Sequence, residues 1–239
     1  MTYCVAIAVD AGMVFCSDSR TNAGIDQVST YGKMYRFGVE GQRQFVILTA
    51  GNLATTQATI AQVKRDIKER AKVSLLTAET VSDAADYLGD VSLTQQEKHA
   101  KLGNTFEASF IIGGQIANSK HRIMLVYPQG NHITSSKDTP YLQIGESKYG
   151  KPILDRVIQP GISMSQAIKC ALVSFDSTIK SNLSVGLPID IAMIKTNDLQ
   201  VTKRHRIDSE EAYFRDLRSS WSQGLRQVFG QLPDPDWLK

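Results

Sequence analysis

The sequence predicts an α+β fold of four layers, with two antiparallel sheets stacked face to face and helices on both outer faces. Three observations carry this reading. The chain opens with apolar runs of strand length, and residues 3–9 are apolar almost throughout, as a strand must be when both its faces are covered. A pair of amphipathic helical stretches follows the opening strands. Strands then return in a run before helices reappear, and strand runs separated by helix pairs imply antiparallel sheets with helices outside.

The elements follow in order. Tyr3-Cys4-Val5-Ala6-Ile7-Ala8-Val9 is the first strand, Asp10-Ala11-Gly12 a turn signal, and 13–16 a second strand completing a hairpin. A third strand at 44–49 ends at Ala50-Gly51, and another is expected just after Lys33. In the next stretch Leu53, Ile60, Val63 and Ile67 fall on one helical face, with Lys64, Arg65, Lys68 and Glu69 on the other. A second helix, about 79–91, presents Val81, Ala84, Ala85, Leu88 and Val91. Strands are expected at 106–113, 121–127, 131–135 and 141–144, then a helix at 163–180 with Ala167, Cys170, Ala171 and Phe175 as its apolar face. Strands at 189–194 and 199–207 flank an Asn197-Asp198 turn. A last helix at 210–229 carries Phe214, Leu217, Trp221, Leu225 and Val228 in one stripe. No repeat, low-complexity run or Pro/Gly-rich linker divides the chain, so 1–239 reads as one domain.

Composition narrows the function classes. Hydrophobic residues make up 42%, enough for a sizeable core. The net charge is +3, and the cluster Lys203-Arg204-His205-Arg206 has no interleaved aromatics, so it reads as a solvated strand end and not as a nucleic-acid surface. Cys4, Cys16 and Cys170 lie in apolar runs without CxxC spacing; they read as buried free thiols and suit a reducing, cytoplasmic compartment. Histidines at 99, 121, 132 and 205 stand at no helical ligand spacing, so no metal site is expected. No apolar stretch reaches the roughly 18 residues of a membrane span, and no secretory leader pattern opens the sequence.

Three features near the start bear on chemistry: Thr2 after Met1, Asp18 in Ser17-Asp18-Ser19-Arg20, and Lys33 in Gly32-Lys33-Met34. Each alone is ordinary, since such a threonine is commonplace, such an Asp turn is usually solvated and a lone lysine is usually on the surface. Together they resemble proteasome β-subunits and their simpler bacterial relatives, in which a strand leads to an Asp-x-Arg turn and then to a Lys followed by an apolar residue. Ala50-Gly51 matches the family's Ala-Gly after its next strand. Within that superfamily the likeness is to the bacterial Anbu, or ancestral β-subunit, group. It is carried by Met1-Thr2-Tyr3-Cys4-Val5, by Ser17 through Gly24, by Ile144-Gly145-Glu146-Ser147-Lys148-Tyr149-Gly150-Lys151-Pro152, by Ser184-Val185-Gly186-Leu187-Pro188-Ile189-Asp190 and by the closing Leu232-Pro233-Asp234-Pro235-Asp236-Trp237-Leu238.

The resemblance implies the N-terminal nucleophile hydrolase fold, with 208–239 as a C-terminal extension. It also implies Thr2 as nucleophile of a peptidase once Met1 is removed. A threonine hydroxyl needs a base within hydrogen-bond reach. A free α-amine, with an ordinary pKa of about 7.7–8.0, can serve at a chain start. Lys33 would lower that value by like-charge repulsion, and Asp18 would hold Lys33 by ion pairing. Gly51 N–H is the candidate oxyanion donor, because a residue without a side chain lets substrate approach. Ser147 fills the family's mid-chain serine role only with a one-residue shift. Ser184 matches the later serine, but Ser181 stands where the family has Asp, which weakens catalysis or shifts its support to Glu146. The resemblance places Thr21, Thr49 and Leu53 among the substrate-binding residues. Peptides or unfolded segments are the implied substrates, no metal or organic cofactor is implied, and nothing points to a particular ATPase partner. It further implies a homo-oligomer, a closed ring or an open spiral, and both stay open because closure depends on a small rotation per interface. Two rival readings stand beside this one: a nucleophile hydrolase of a specific small amide, and a scaffold whose threonine is vestigial.

Overall fold

A computed structural model of the chain describes residues 1–22, 28–98 and 106–238. Along these run β1 (Tyr3–Val9), β2 (Gly12–Asp18), β3 (Arg20–Asn22), β4 (Val28–Thr30), β5 (Met34–Val39), β6 (Arg43–Gly51), α1 (Leu53–Lys68) and α2 (Val81–Glu97). Then come β7 (Ala108–Ile116), β8 (Arg122–Val126), β9 (His132–Thr134), β10 (Tyr141–Gly145), α3 (Lys151–Val157), α4 (Met164–Ser181), β11 (Ile189–Lys195), β12 (Lys203–Ile207) and α5 (Ala212–Gly230), with a 3-10 turn at Asp236–Leu238. One five-stranded sheet has the order β10-β1-β2-β11-β12 and the other β5-β6-β7-β8-β9, both antiparallel. β3 and β4 form a separate hairpin.

Strand alternation divides the core into three layers. Side chains of odd and even residues point to opposite faces of a strand. On β1, Tyr3, Val5, Ile7 and Val9 join the cluster shared with α4, while Cys4 and Ala6 join the cluster between the sheets. On β6, Phe45 and Ile47 face the layer of α1 and α2, while Val46, Leu48 and Ala50 face the other sheet. Three core layers between four structural layers make the αββα sandwich that the sequence predicts. At Gly113 on β7 the sheets approach so closely that a Cβ would lie 2.6 Å from the Phe15 ring.

Local chemistry sets the helix starts. Asn52 caps α1 by accepting the Thr55 N–H. Thr80 with Asp83, and Ser163 with Gln166, make capping boxes on α2 and α4, satisfying orphan N–H groups at both ends of each exchange. The strand expected at 199–207 is shorter than its pattern. Asn197 (φ 67°) and Leu199 (φ 49°) take left-handed backbone, and Thr202 bonds back to Asp198 and Lys195, so pairing starts only at Lys203. The cluster Lys203–Arg206 lies exposed on this edge strand, where charge blunts edge pairing.

The last helix departs from its stripe. Phe214 is buried and Leu217 packs on the core, but Leu225, Val228 and Phe229 are 51%, 58% and 76% exposed. α5 is held at its first half, where its Arg218 pairs with the fully buried Asp176 of α4 and its Ser222 hydroxyl accepts from Lys180 of α4 at 2.8 Å. Its second half extends beyond the sandwich's own core.

Candidate active site

The ends of several strands meet at one edge of the sandwich. In register, the start of β1 lies beside the end of β10 (Tyr3↔Gly145) and near the end of β2 (Cys4↔Ser17). Asp18, closing β2, lies opposite Ile189 at the start of β11. On the other sheet the start of β5 pairs with the end of β6 (Met34↔Leu48), and the Lys33 carbonyl accepts the Thr49 N–H at 3.0 Å.

Asp18 ties these ends together. Its carboxylate oxygen Oδ1 accepts the backbone N–H of Tyr3 at 3.0 Å and the Lys33 ammonium at 2.7 Å. Asp18 is fully buried and the Lys33 side chain is 6% exposed, so this is an ion pair inside the protein. Burial pushes the Asp18 carboxyl up; the charge and hydrogen bond of Lys33, the Tyr3 N–H and the terminal amine draw it back. Lys33 Nζ also donates to the Arg20 carbonyl at 2.6 Å. An ammonium has three donors. With two engaged inside the protein, its position and direction are set, and through Asp18 it is joined to the backbone of Tyr3, the residue after Thr2.

Thr2 is held by its backbone. Its carbonyl accepts the Glu146 N–H at 2.7 Å. Gly145 allows this approach: it has φ +81°, and a Cβ there would lie 2.0 Å from the Thr2 oxygen. Below, the Tyr3 hydroxyl is locked between Ser174 (3.0 Å) and the Gln143 amide (2.7 Å), and burial pushes it well above its ordinary pKa. Among the described residues the Thr2 hydroxyl makes no hydrogen bond of its own.

The other expected residues divide. Ser147 is half-buried just past Glu146, its N–H on the Gly145 carbonyl at 3.1 Å. Ser184 donates its N–H to the Asn182 side-chain oxygen at 2.9 Å. Ser181 is exposed at the end of α4, so it does not stand in for a buried carboxylate. Asn182, one residue on, is the group turned inward; its amide donates to Glu146 Oε2 at 2.8 Å, and Glu146 is 7% exposed. Asn182 escaped the sequence reading because matching by spacing pointed to its neighbour, and the only available signal was an amide ending a helix. Gly51 ends β6 with φ +103°, and a Cβ there would lie 2.5 Å from the Glu107 carbonyl. Its glycine is therefore required by β7 packing, a different reason from the substrate approach expected. Thr49 is buried at 4% exposure, and Leu53, the first residue of α1, is half-buried. Thr21 pairs with Ser29 in the β3–β4 hairpin, and its side chain lies outside the described residues. Arg20 has a part that its turn position did not reveal: besides its carbonyl on Lys33, its guanidinium lies against Gly186 and donates to the Leu183 carbonyl at 3.0 Å, clamping the loop that carries Ser184.

Cys4, Cys16 and Cys170 are buried free thiols, pushed upward by burial. Among the described residues, which exclude His99, no group of three His, Cys, Asp or Glu is placed to hold a metal ion. Among them, too, no helix is long and apolar enough to cross a membrane.

Two antiparallel sheets between helix layers, with a threonine at the first strand's start beside a buried Lys–Asp pair, define the N-terminal nucleophile hydrolase class of fold. The chain belongs to the proteasome subunit family, whose profile matches residues 2–194. Within that family its likeness is to the Anbu group. Anbu (ancestral beta-subunit) from Yersinia bercovieri is 42% identical over 98% of this chain and 100% of that one, with a TM-score of 0.93. The helical assembly of the Anbu complex from Pseudomonas aeruginosa has a subunit 44% identical over 98% of both chains, at a TM-score of 0.94. Anbu from Hyphomicrobium sp. strain MC1 is 41% identical over 98% and 100%, at 0.91. Among curated proteins none matches the chain.

Proposed function

We propose that this protein is a proteasome-like threonine peptidase in which Thr2 attacks the substrate carbonyl. The observation that carries the reading is the buried Lys33 ammonium, fixed by the Arg20 carbonyl and by Asp18, whose carboxylate also holds the N–H of Tyr3, the residue after Thr2. A charge desolvated in this way is expensive to keep unless it acts. With Met1 removed, the Thr2 amine takes the hydroxyl proton while Oγ1 bonds to the carbonyl carbon. The tetrahedral oxyanion meets the Gly51 N–H. Collapse expels the amine half of the peptide, which leaves with that proton, and water then cleaves the ester by the same route. Ser147 and Ser184 support the site from the two loops beside Thr2, while Thr21, Thr49 and Leu53 line the path of an extended peptide.

The whole chain is read as one proteasome-type domain with 208–239 as extension, acting in the cytoplasm on peptides or unfolded segments. A homo-oligomeric ring or spiral fits both the helical assembly of the Pseudomonas aeruginosa relative and the exposed stripe on α5. With Met1 attached, the Thr2 nitrogen is an amide without a basic lone pair, so that form is inactive. Intact mass measured before and after a peptide β-lactone tests the reading. Met1-free protein gains one adduct and hydrolyses peptides; Met1-retaining protein and Thr2→Ala do neither. Hydrolysis by chains that all retain Met1 rules out the amine as base. Absence of labelling in Met1-free protein favours the scaffold reading instead.

A further inference from the structure

The geometry points to Glu146 and Asn182 as the pair that seats the α-amine of Thr2, a carboxylate and an amide doing together what the exposed Ser181 does not. This rests on the reading of Thr2 as nucleophile, but it concerns residues to which the likeness assigns no such joint role. Glu146 is anchored at both ends. Its N–H holds the Thr2 carbonyl at 2.7 Å, and its Oε2 accepts the Asn182 amide at 2.8 Å. Asn182 is itself oriented, because its Oδ1 accepts the Ser184 N–H at 2.9 Å. The same Asn182 nitrogen lies 3.9 Å from the Met1 sulfur. The residue to be removed therefore rests against Asn182, beside the carboxylate that Asn182 holds.

A carboxylate at 7% exposure with one amide donor has acceptor capacity left over. Its only cationic contact among the described residues is Lys148 Nζ at 3.9 Å, whose side chain is 75% exposed and screened by water. Oε1 is thus under-used, whereas an ammonium at Thr2 supplies both charge and donors. The seat explains how a base can work between two buried charges of opposite sign. Lys33 favours the neutral amine that accepts the hydroxyl proton. Glu146 favours the ammonium formed once that proton has moved, and directs its N–H bonds away from the hydroxyl. The charged groups facing this position are Asp18 at the end of β2, Lys33 before β5, and Glu146 and Lys148 after β10. Lys180, on the last turn of α4, is occupied by Asp176 and Ser222.

Glu146 and Asn182 are positioning residues, and the property they set is the proton affinity of the amine. It can be measured without any turnover: Met1-free full-length protein is acetylated with isotope-coded acetic anhydride across a pH series, and the N-terminal peptide is quantified by mass. Glu146→Gln keeps the shape and the backbone N–H, and should lower the midpoint for amine acylation by about one pH unit, the scale of losing a nearby opposite charge. Asn182→Asp sets a second carboxyl against Glu146 Oε2; the two share a proton until it is lost, after which the added negative charge should raise the midpoint by at most a similar amount. In both variants the acid limb of β-lactone labelling should move with the midpoint. An unmoved midpoint in folded Glu146→Gln, or a fall in Asn182→Asp, overturns the assignment. Midpoints that shift as expected in protein that hydrolyses no peptide would uphold the seat and refute the peptidase reading.

Discussion

Lys33 is the residue on which the proposed chemistry and the stability of the site both depend. Removing it leaves Asp18 buried without a counter-charge, a change on the order of 3–5 kcal/mol. It also removes the cation beside the nucleophile, a loss of at least about a hundredfold in turnover. Lys33→Ala is therefore expected to fail on both counts, and Asp18→Asn combined with Lys33→Met should recover the fold without the activity. Lys33→Arg should remain inactive, because a planar guanidinium cannot occupy a site shaped for a compact ammonium between Asp18 and the Arg20 carbonyl. Thermal unfolding beside β-lactone labelling separates the two effects, and an active Lys33→Arg would reduce Lys33 to an ordinary buried cation. Asp18 and Lys33 were legible through their resemblance to the family's Asp-x-Arg and Lys pattern, since neither residue alone departs from an ordinary turn or surface charge. Glu146 was only half legible, and Asn182 was missed, since their meeting depends on β10 and α4 arriving together across a separation of 36 residues.

Among the elements, β1 decides where Thr2 lies, and β10 decides how β1 ends. The β1–β10 register closes at Tyr3↔Gly145, where the chain must take positive φ to bring the Glu146 N–H onto the Thr2 carbonyl. Gly145→Ala should force both the φ strain and a clash with that carbonyl, a penalty of about 1–3 kcal/mol for the backbone alone. The expected result is a melting point lower by several degrees and a larger loss of β-lactone labelling, because the displaced residue is the nucleophile itself. A variant that labels at the wild-type rate would show that Thr2 does not need this seat. Most strands and helices were legible for a simple reason: central strands such as β1, β2 and β6 are covered on both faces and read as unbroken apolar runs, while helical periodicity reports the one buried face of each helix. The stretch 199–202 misled because its apolar Leu199 and Val201 suggested pairing, while left-handed backbone at Asn197 and Leu199 and the Thr202 hydroxyl bridging Asp198 and Lys195 hold it as a turn. The short α3 carries too few residues for a period, and the β3–β4 hairpin has no apolar alternation to mark it.

For the whole molecule, periodicity identified the apolar stripe of α5 but not what covers it. The helix is fastened by its first half through Phe214 and through Arg218 on the buried Asp176, both of which fold within one chain. Leu225, Val228 and Phe229 then stand 51%, 58% and 76% exposed on the same helix, followed by Leu232 at 59% and Trp237 at 82%. A lone chain gains nothing by holding such side chains in water, since fully burying one of them is worth about 1.5–3 kcal/mol. A second copy of the chain can cover them, as the proposed ring or spiral requires. Replacing Leu225 and Val228 by Asp places charge on the unpartnered half and leaves the Phe214 and Asp176 anchors untouched. Circular dichroism and thermal unfolding of the dissociated chain should therefore show an intact sandwich, while sedimentation velocity at matched concentration should show a shift toward smaller species. If the double variant sediments like the wild type, the stripe lies outside the subunit contacts and another surface must join the copies.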